Sequence, residues 1–123
     1  MMLMNEPPIL LDGARALEYA ILDAAAHGIV DGVAIGSEAV SRLVVAENLV
    51  EGGVFLIHCN DEWSTVIGET YADAQSARVA AGEAYRGGRI EWVRFRELTP
   101  EEAREVETTR AFLREITAEY PPG

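Results

Sequence analysis

The stretch Val54-Phe55-Leu56-Ile57-His58-Cys59-Asn60-Asp61-Glu62-Trp63-Ser64-Thr65-Val66-Ile67-Gly68 constrains the fold more than any other part of the chain. It reads as two strands joined by a tight polar turn. Apolar and half-apolar residues precede the turn, and Trp63, Thr65 and Ile67 alternate with Ser64 and Val66 after it. β-branched and aromatic residues flanking a short Asn-Asp-Glu connection are the mark of a hairpin. Val54 to Ile57 is an unbroken apolar run, which places this strand in the middle of its sheet.

The rest of the chain reads as helices that cover the hairpin, plus one more strand. Asp12 is placed to cap a helix over 13–27, with Ala14, Leu17, Ile21, Leu22 and Ala25 at helical spacing and Gly28 as the stop. The segment from Ile29 to Ile35 reads as a loop, with a very short strand as the alternative. Ser37 is placed to cap a second helix, over 37–51, whose stripe is Val40, Leu43, Val44 and Leu49 and whose end is Gly52-Gly53. The β-branched pair Val44-Val45 makes a strand the competing reading there. A third helix is expected over 71–86, lined with alanines small enough to pack close to a sheet.

Gly87-Gly88 ends that helix, and Ile90 to Arg96 is expected as the third strand, free to pair parallel to the second after a helical crossover. Thr99-Pro100-Glu101-Glu102 then supplies a cap, a first-turn proline and a capping-box carboxylate for a fourth helix, over 100–119. Its apolar side holds Val106, Leu113, Ile116 and Tyr120. The expected order is ααββαβα, an α+β domain over 1–123 in which a three-stranded sheet (54–59, 63–68, 90–96) is covered by four helices. Residues 1–10 read as a flexible arm, because Pro7-Pro8 can neither start a central strand nor continue a helix.

Charge is the unusual property. Twenty-one acids against ten bases give a formal net charge of −11, and every base is arginine. The surplus is uneven: residues 1–83 hold thirteen acids and three arginines, whereas residues 84–123 hold eight and seven. Such a field repels phosphates and argues against a nucleic-acid partner. It favours rapid association with something basic, although acidity also simply keeps a small protein soluble. No apolar run approaches the roughly 20 residues of a membrane span. The single Cys59 excludes an internal disulfide, and the N-terminus has no signal-peptide pattern, so the expected compartment is the cytoplasm.

Few residues point to chemistry. His58-Cys59 suggests a nucleophile and base, but neighbours on a strand face opposite ways and cannot share a proton. Cys59 reads instead as a small buried hydrophobe. Two histidines and one cysteine at unrelated spacings form no metal signature, and Gly32-x3-Gly36 and Gly87-Gly88 match no phosphate loop. No cofactor is implied. Asp61, Glu62 and Glu69 could bind a cation, but turns are acid-rich for local hydrogen-bonding reasons. Trp63, beside that acidic turn, is either an aromatic interface anchor or a cap on the core.

Val54-Phe55-Leu56-Ile57-His58-Cys59 is followed by Asp61 and Trp63, a helix bearing Ala77, Ala81, Glu83 and Tyr85, then Gly87 and Trp92. Over residues 53–93, about a third of the chain, this pattern resembles small acidic immunity-like and uncharacterised bacterial α+β proteins. Tyr85-Arg86-Gly87-Gly88 departs from it where a shorter turn is expected. The resemblance implies binding and neutralising a partner protein, with no catalytic residues to transfer.

The expected function is therefore that of a non-enzymatic acidic protein that neutralises a basic, toxin-like partner through Asp61, Glu62, Trp63 and Glu69. Its carboxylates would take the place of phosphates in a basic groove. A homo-oligomeric accessory or small-ligand-binding protein, homodimeric in its simplest form, is the alternative. A small enzyme using carboxylates in a pocket is the third reading.

Overall fold

The computed structural model describes residues 6–22, 27–30, 33–35, 40–86 and 90–119. Among them the order is β1 (Leu10–Leu11), β2 (Ala14–Ile21), β3 (His27–Val30), β4 (Val33–Ile35), β5 (Arg42–Glu47), β6 (Val54–Cys59), β7 (Thr65–Tyr71), α1 (Ala74–Ala84), β8 (Tyr85–Arg86), β9 (Val93–Arg94) and α2 (Pro100–Glu119). A curled antiparallel sheet runs β1-β2-β5-β6-β7. β9 joins it on β2, along the edge that β1 begins. A smaller sheet has the order β4-β3-β8.

This architecture overturns the expected three-stranded sheet under four helices. The first expected helix, 13–27, is β2 followed by β3, with residues 23–26 outside the described chain. Asp12 is no helix cap: Asp12 and Gly13 have φ of 51° and 81° and join Leu11 directly to its partner Ala14. Two successive positive φ values define the two-residue hairpin turn that Asp-Gly favours. Ala, Leu and Glu in β2 favour a helix in isolation, and pairing on both edges overrides that preference. The ladder shifts between Ala16 and Glu18. That bulge lets Ala14, Ala16 and Tyr19 share one face while Leu17 and Ala20 share the other.

The second expected helix, 37–51, is β5, with residues 36–39 outside the described chain. Leu43, Val44, Val45 and Ala46 are all buried, the first and third on the α1 face and the others on the opposite face. A strand covered on both sides loses its polar alternation, so its valines could be fitted to a helical stripe. The end of that supposed helix is the β5–β6 turn. Asn48 Oδ1 accepts from the Val50 and Glu51 amides at 3.0 and 3.1 Å, and Gly52 and Gly53 have φ of 79° and 74°. A Cβ on Gly53 would meet the Tyr71 carbonyl oxygen at 2.9 Å.

The 54–68 hairpin is present, with its second strand shifted from 63–68 to Thr65–Tyr71. The expected strand 90–96 shrinks to Val93–Arg94 and pairs antiparallel with β2, not with the hairpin. α1 occupies the middle of the expected 71–86 helix: Asp73 Oδ1 caps it by accepting from the Ser76 amide at 2.8 Å, and Tyr85 leaves in extended backbone as β8. Gly87-Gly88 lie outside the described residues. α2 fills 100–119 as expected, and Thr99 and Glu102 cap each other reciprocally, at 3.2 and 2.9 Å. Residues 6–10 of the expected arm are docked: Pro7 is buried and the Ile9 carbonyl accepts from the Ala16 amide at 2.9 Å.

Two apolar clusters lie on the two faces of the large sheet. On one, Leu43, Val45, Val54 and Leu56 pack under Ala77 and Ala81 of α1. On the other, Val44, Ala46 and Ile57 lie under Trp63, Phe95 and Tyr19, part of the sheet's own curl.

Candidate functional site

The β6–β7 turn is a three-residue loop closed at both ends. The Asn60 amide donates to the Ser64 carbonyl at 3.0 Å, and the Trp63 amide donates to the Asn60 carbonyl at 3.1 Å. Asn60 Oδ1 accepts from the Glu62 and Ser64 amides at 2.9 and 3.0 Å. The last loop position requires positive φ, normally a glycine's place, and Trp63 takes it at 64°.

That conformation turns Trp63 inward. It is 3% exposed, meets the Tyr19 ring edge-on at 5.7 Å, and carries the Arg42 guanidinium 5.5 Å from its centroid. Of the four residues singled out from sequence, only Asp61 and Glu62 stand exposed at the tip. Trp63 belongs to the core, and Glu69 sits inside β7, half-buried.

The curl adds a residue that sequence reasoning missed. Thr65 Oγ1 donates to Asp12 Oδ2 at 2.6 Å, joining the β1–β2 turn to the start of β7. Asp12 therefore stands beside the turn that carries Asp61 and Glu62. The Asp-Gly dipeptide is a readable signal that Asp12 is in a hairpin turn. Nothing local could pair it with a threonine 53 positions later. Beneath this contact the sheet holds an open groove of about 240 Å³, walled by Leu11, Ala14, Phe55 and Ile57. Thr65, Gly68 and Thr70 of β7 form its other side.

On the opposite face, His58 is fully buried between two partners. Its Nε2 lies 2.8 Å from Glu69 Oε1, and its Nδ1 meets the Tyr85 hydroxyl. A carboxylate can only accept, so Nε2 donates to Glu69, and the Tyr85 hydroxyl is the partner of Nδ1. Burial first, and then the charge of Glu69, pushes the Tyr85 hydroxyl up, so it stays protonated.

His58 and Cys59 occupy opposite faces, as alternation on β6 requires. Burial pushes the Cys59 thiol up to about 12, with nearby Asp12 adding to the shift, which leaves it protonated and unreactive. Among the described residues no group of three or more His, Cys, Asp or Glu side chains is placed to hold a metal ion. The other histidine, His27, lies in β3, and Gly32 and Gly36 fall outside the described residues. No described helix is long and apolar enough to cross a membrane.

No family model matches the chain, and no curated protein or solved structure matches it.

Proposed function

We propose that this chain is a non-enzymatic acidic protein that binds and neutralises a basic protein partner, in the manner of an immunity or antitoxin-type inhibitor. The observation that supports the reading most is how the charge is distributed. Arg15, Arg78, Arg96 and Arg110 are committed to the chain's own carboxylates, including Glu18 at 2.5 Å and Glu102 at 2.7 Å. Asp61 and Glu62 form no ion pair among the described residues, and the curl adds Asp12 beside them. An exposed acidic turn on a chain of net charge −11 speeds encounter with a basic groove. The resemblance over residues 53–93 points to the same class of partner.

The test is to isolate a bound basic protein from the native host and measure its activity with and without this chain. Replacing Asp61 and Glu62 by lysine should slow association and weaken neutralisation. An activity unaffected by stoichiometric addition of the chain defeats the proposal. The groove under Asp12 and Thr65 favours one competing reading, a small-ligand-binding accessory protein. Binding there should be nearly independent of salt, because its walls are mostly apolar.

A further inference from the structure

β7 is the outermost strand of the large sheet, and among the described residues no strand pairs with its outer edge. An unpaired edge presents a row of amide and carbonyl groups to any extended chain that approaches. Protein edges are usually blunted by lysine, proline or an inward charge. β7 (Thr-Val-Ile-Gly-Glu-Thr-Tyr) contains neither lysine nor proline; an inward charge, Glu69 reaching to His58, and a bulge near its start, opposite His58 and Cys59, are the guards it has among the described residues. The strand is also open on its groove side. Val66, Gly68 and Thr70 are exposed, and a Cβ built on Gly68 would meet no atom within 4 Å.

We infer that the outer edge of β7 receives an extended, arginine- or lysine-bearing strand of the basic partner, which extends the sheet and lays an apolar side chain at the mouth of the groove. Three features on one strand fit the same ligand. The outer edge between Val66 and Thr70 supplies main-chain hydrogen bonds, the groove beside Thr65, Gly68 and Thr70 supplies a place for alternate side chains, and Asp61-Glu62 and Asp73 supply negative charge beyond its two ends.

Charge also decides against a second copy of the chain as the occupant. Two β7 strands related by a two-fold axis would run antiparallel, setting Asp61 and Glu62 of one beside Asp73 of the other. Like charges in that position oppose pairing, whereas a basic strand is attracted at both ends. The inference rests on the acidic-binding function proposed above and adds to it the place and mode of contact.

The experiment uses the full chain and three short synthetic peptides: alternating arginine–valine, the same peptide N-methylated on alternate amides, and alternating serine–valine. The arginine–valine peptide should bind at low salt and protect β7 amides from hydrogen exchange. N-methylation on the pairing edge should weaken binding by at least about tenfold, since it removes several main-chain bonds without altering charge. Equal binding of the methylated peptide, with no protection on β7, overturns the edge inference and leaves the acidic function standing. Equal binding of the serine–valine peptide, with β7 protected, has the opposite effect: the edge stands as a place for an added strand, and the basic occupant falls together with the acidic function. Failure of every peptide to bind overturns the edge inference outright. Concentration-dependent self-association that protects β7 without peptide assigns the edge to a second copy and overturns the proposed occupant.

Discussion

The buried His58 ring donates from Nε2 to Glu69 Oε1 across 2.8 Å, one strand over and one pleat along. Ile67 lies directly opposite His58 in the ladder, and Glu69 is its diagonal neighbour on the same face. Tyr85, where the chain leaves α1, closes the other side. The relay thus ties β6, β7 and the end of α1 together inside the core. Replacing Tyr85 by phenylalanine leaves Nδ1 buried without its hydrogen-bond partner and should cost about 1–3 kcal/mol. Urea unfolding with an unchanged m value checks this; a loss below about 0.5 kcal/mol would show that the relay is not a stabilising contact.

Trp63→Ala should cost about 3–5 kcal/mol of stability, the usual penalty for emptying a large buried aromatic site. The same substitution reads out the Tyr19 and Arg42 contacts, which lose their ring. Thermal unfolding measures the loss. A near-neutral result would contradict the burial of this residue.

Cys59 should react with a thiol reagent far more slowly in the native state than after denaturation. Its raised value means that the folded state favours the protonated thiol. The associated stability is present below pH 9.0 and is lost as pH rises toward about 12. Tyr85 adds a loss of the same sign only from its ordinary value of 10.0 upward. Unfolding of the native chain and of Cys59→Ala, compared between pH 9.0 and 10.0, isolates the thiol. Identical pH slopes would refute its contribution.

Glu102 behaves in the opposite sense. Arg96 holds its carboxyl down to about 2, and the Thr99 amide helps. A lowered folded-state value stabilises above the ordinary 4.5 and fades as pH falls through the interval to about 2. Because the pair is exposed, the effect should be small and screened by salt. Amide protection in the first turn of α2, taken relative to the intrinsic exchange rate at each pH, should fall over that interval, and more weakly so in Glu102→Gln.

Association with a basic partner should slow markedly between about 50 and 500 mM salt, as the Debye length shrinks from about 14 to 4 Å. Asp61→Lys with Glu62→Lys should lower the on-rate and leave thermal stability nearly unchanged, since both side chains are exposed. Stopped-flow or surface-binding kinetics against the isolated partner decide it, and unchanged kinetics at every salt concentration would rule out electrostatic steering.

Local signals were sufficient where the chain's neighbours in sequence are also its neighbours in space. The β6–β7 hairpin and the Thr99–Glu102 capping box satisfy their hydrogen bonds within a few residues, and both are present, the hairpin with its second strand starting two residues later than expected. Asp12-Gly13 was equally legible as a hairpin turn, but helix-forming residues in β2 masked it. β5 offered only the β-branched pair Val44-Val45, because burial on both faces erases the alternation that distinguishes a strand.

The sequence by itself determined the charge imbalance, the acidic turn at Asp61-Glu62, the hairpin around it and the helix that starts at Pro100. Each depends on composition or on contacts only a few residues apart. Tertiary structure alone decided that Ala14–Ile21 and Arg42–Glu47 are strands, that Trp63 turns inward, and that His58 is held between Glu69 and Tyr85. It also brought Asp12 to Thr65. Those outcomes depend on edge pairing and two-sided burial between distant segments, and such energies exceed the few tenths of a kcal/mol per residue by which local propensities differ.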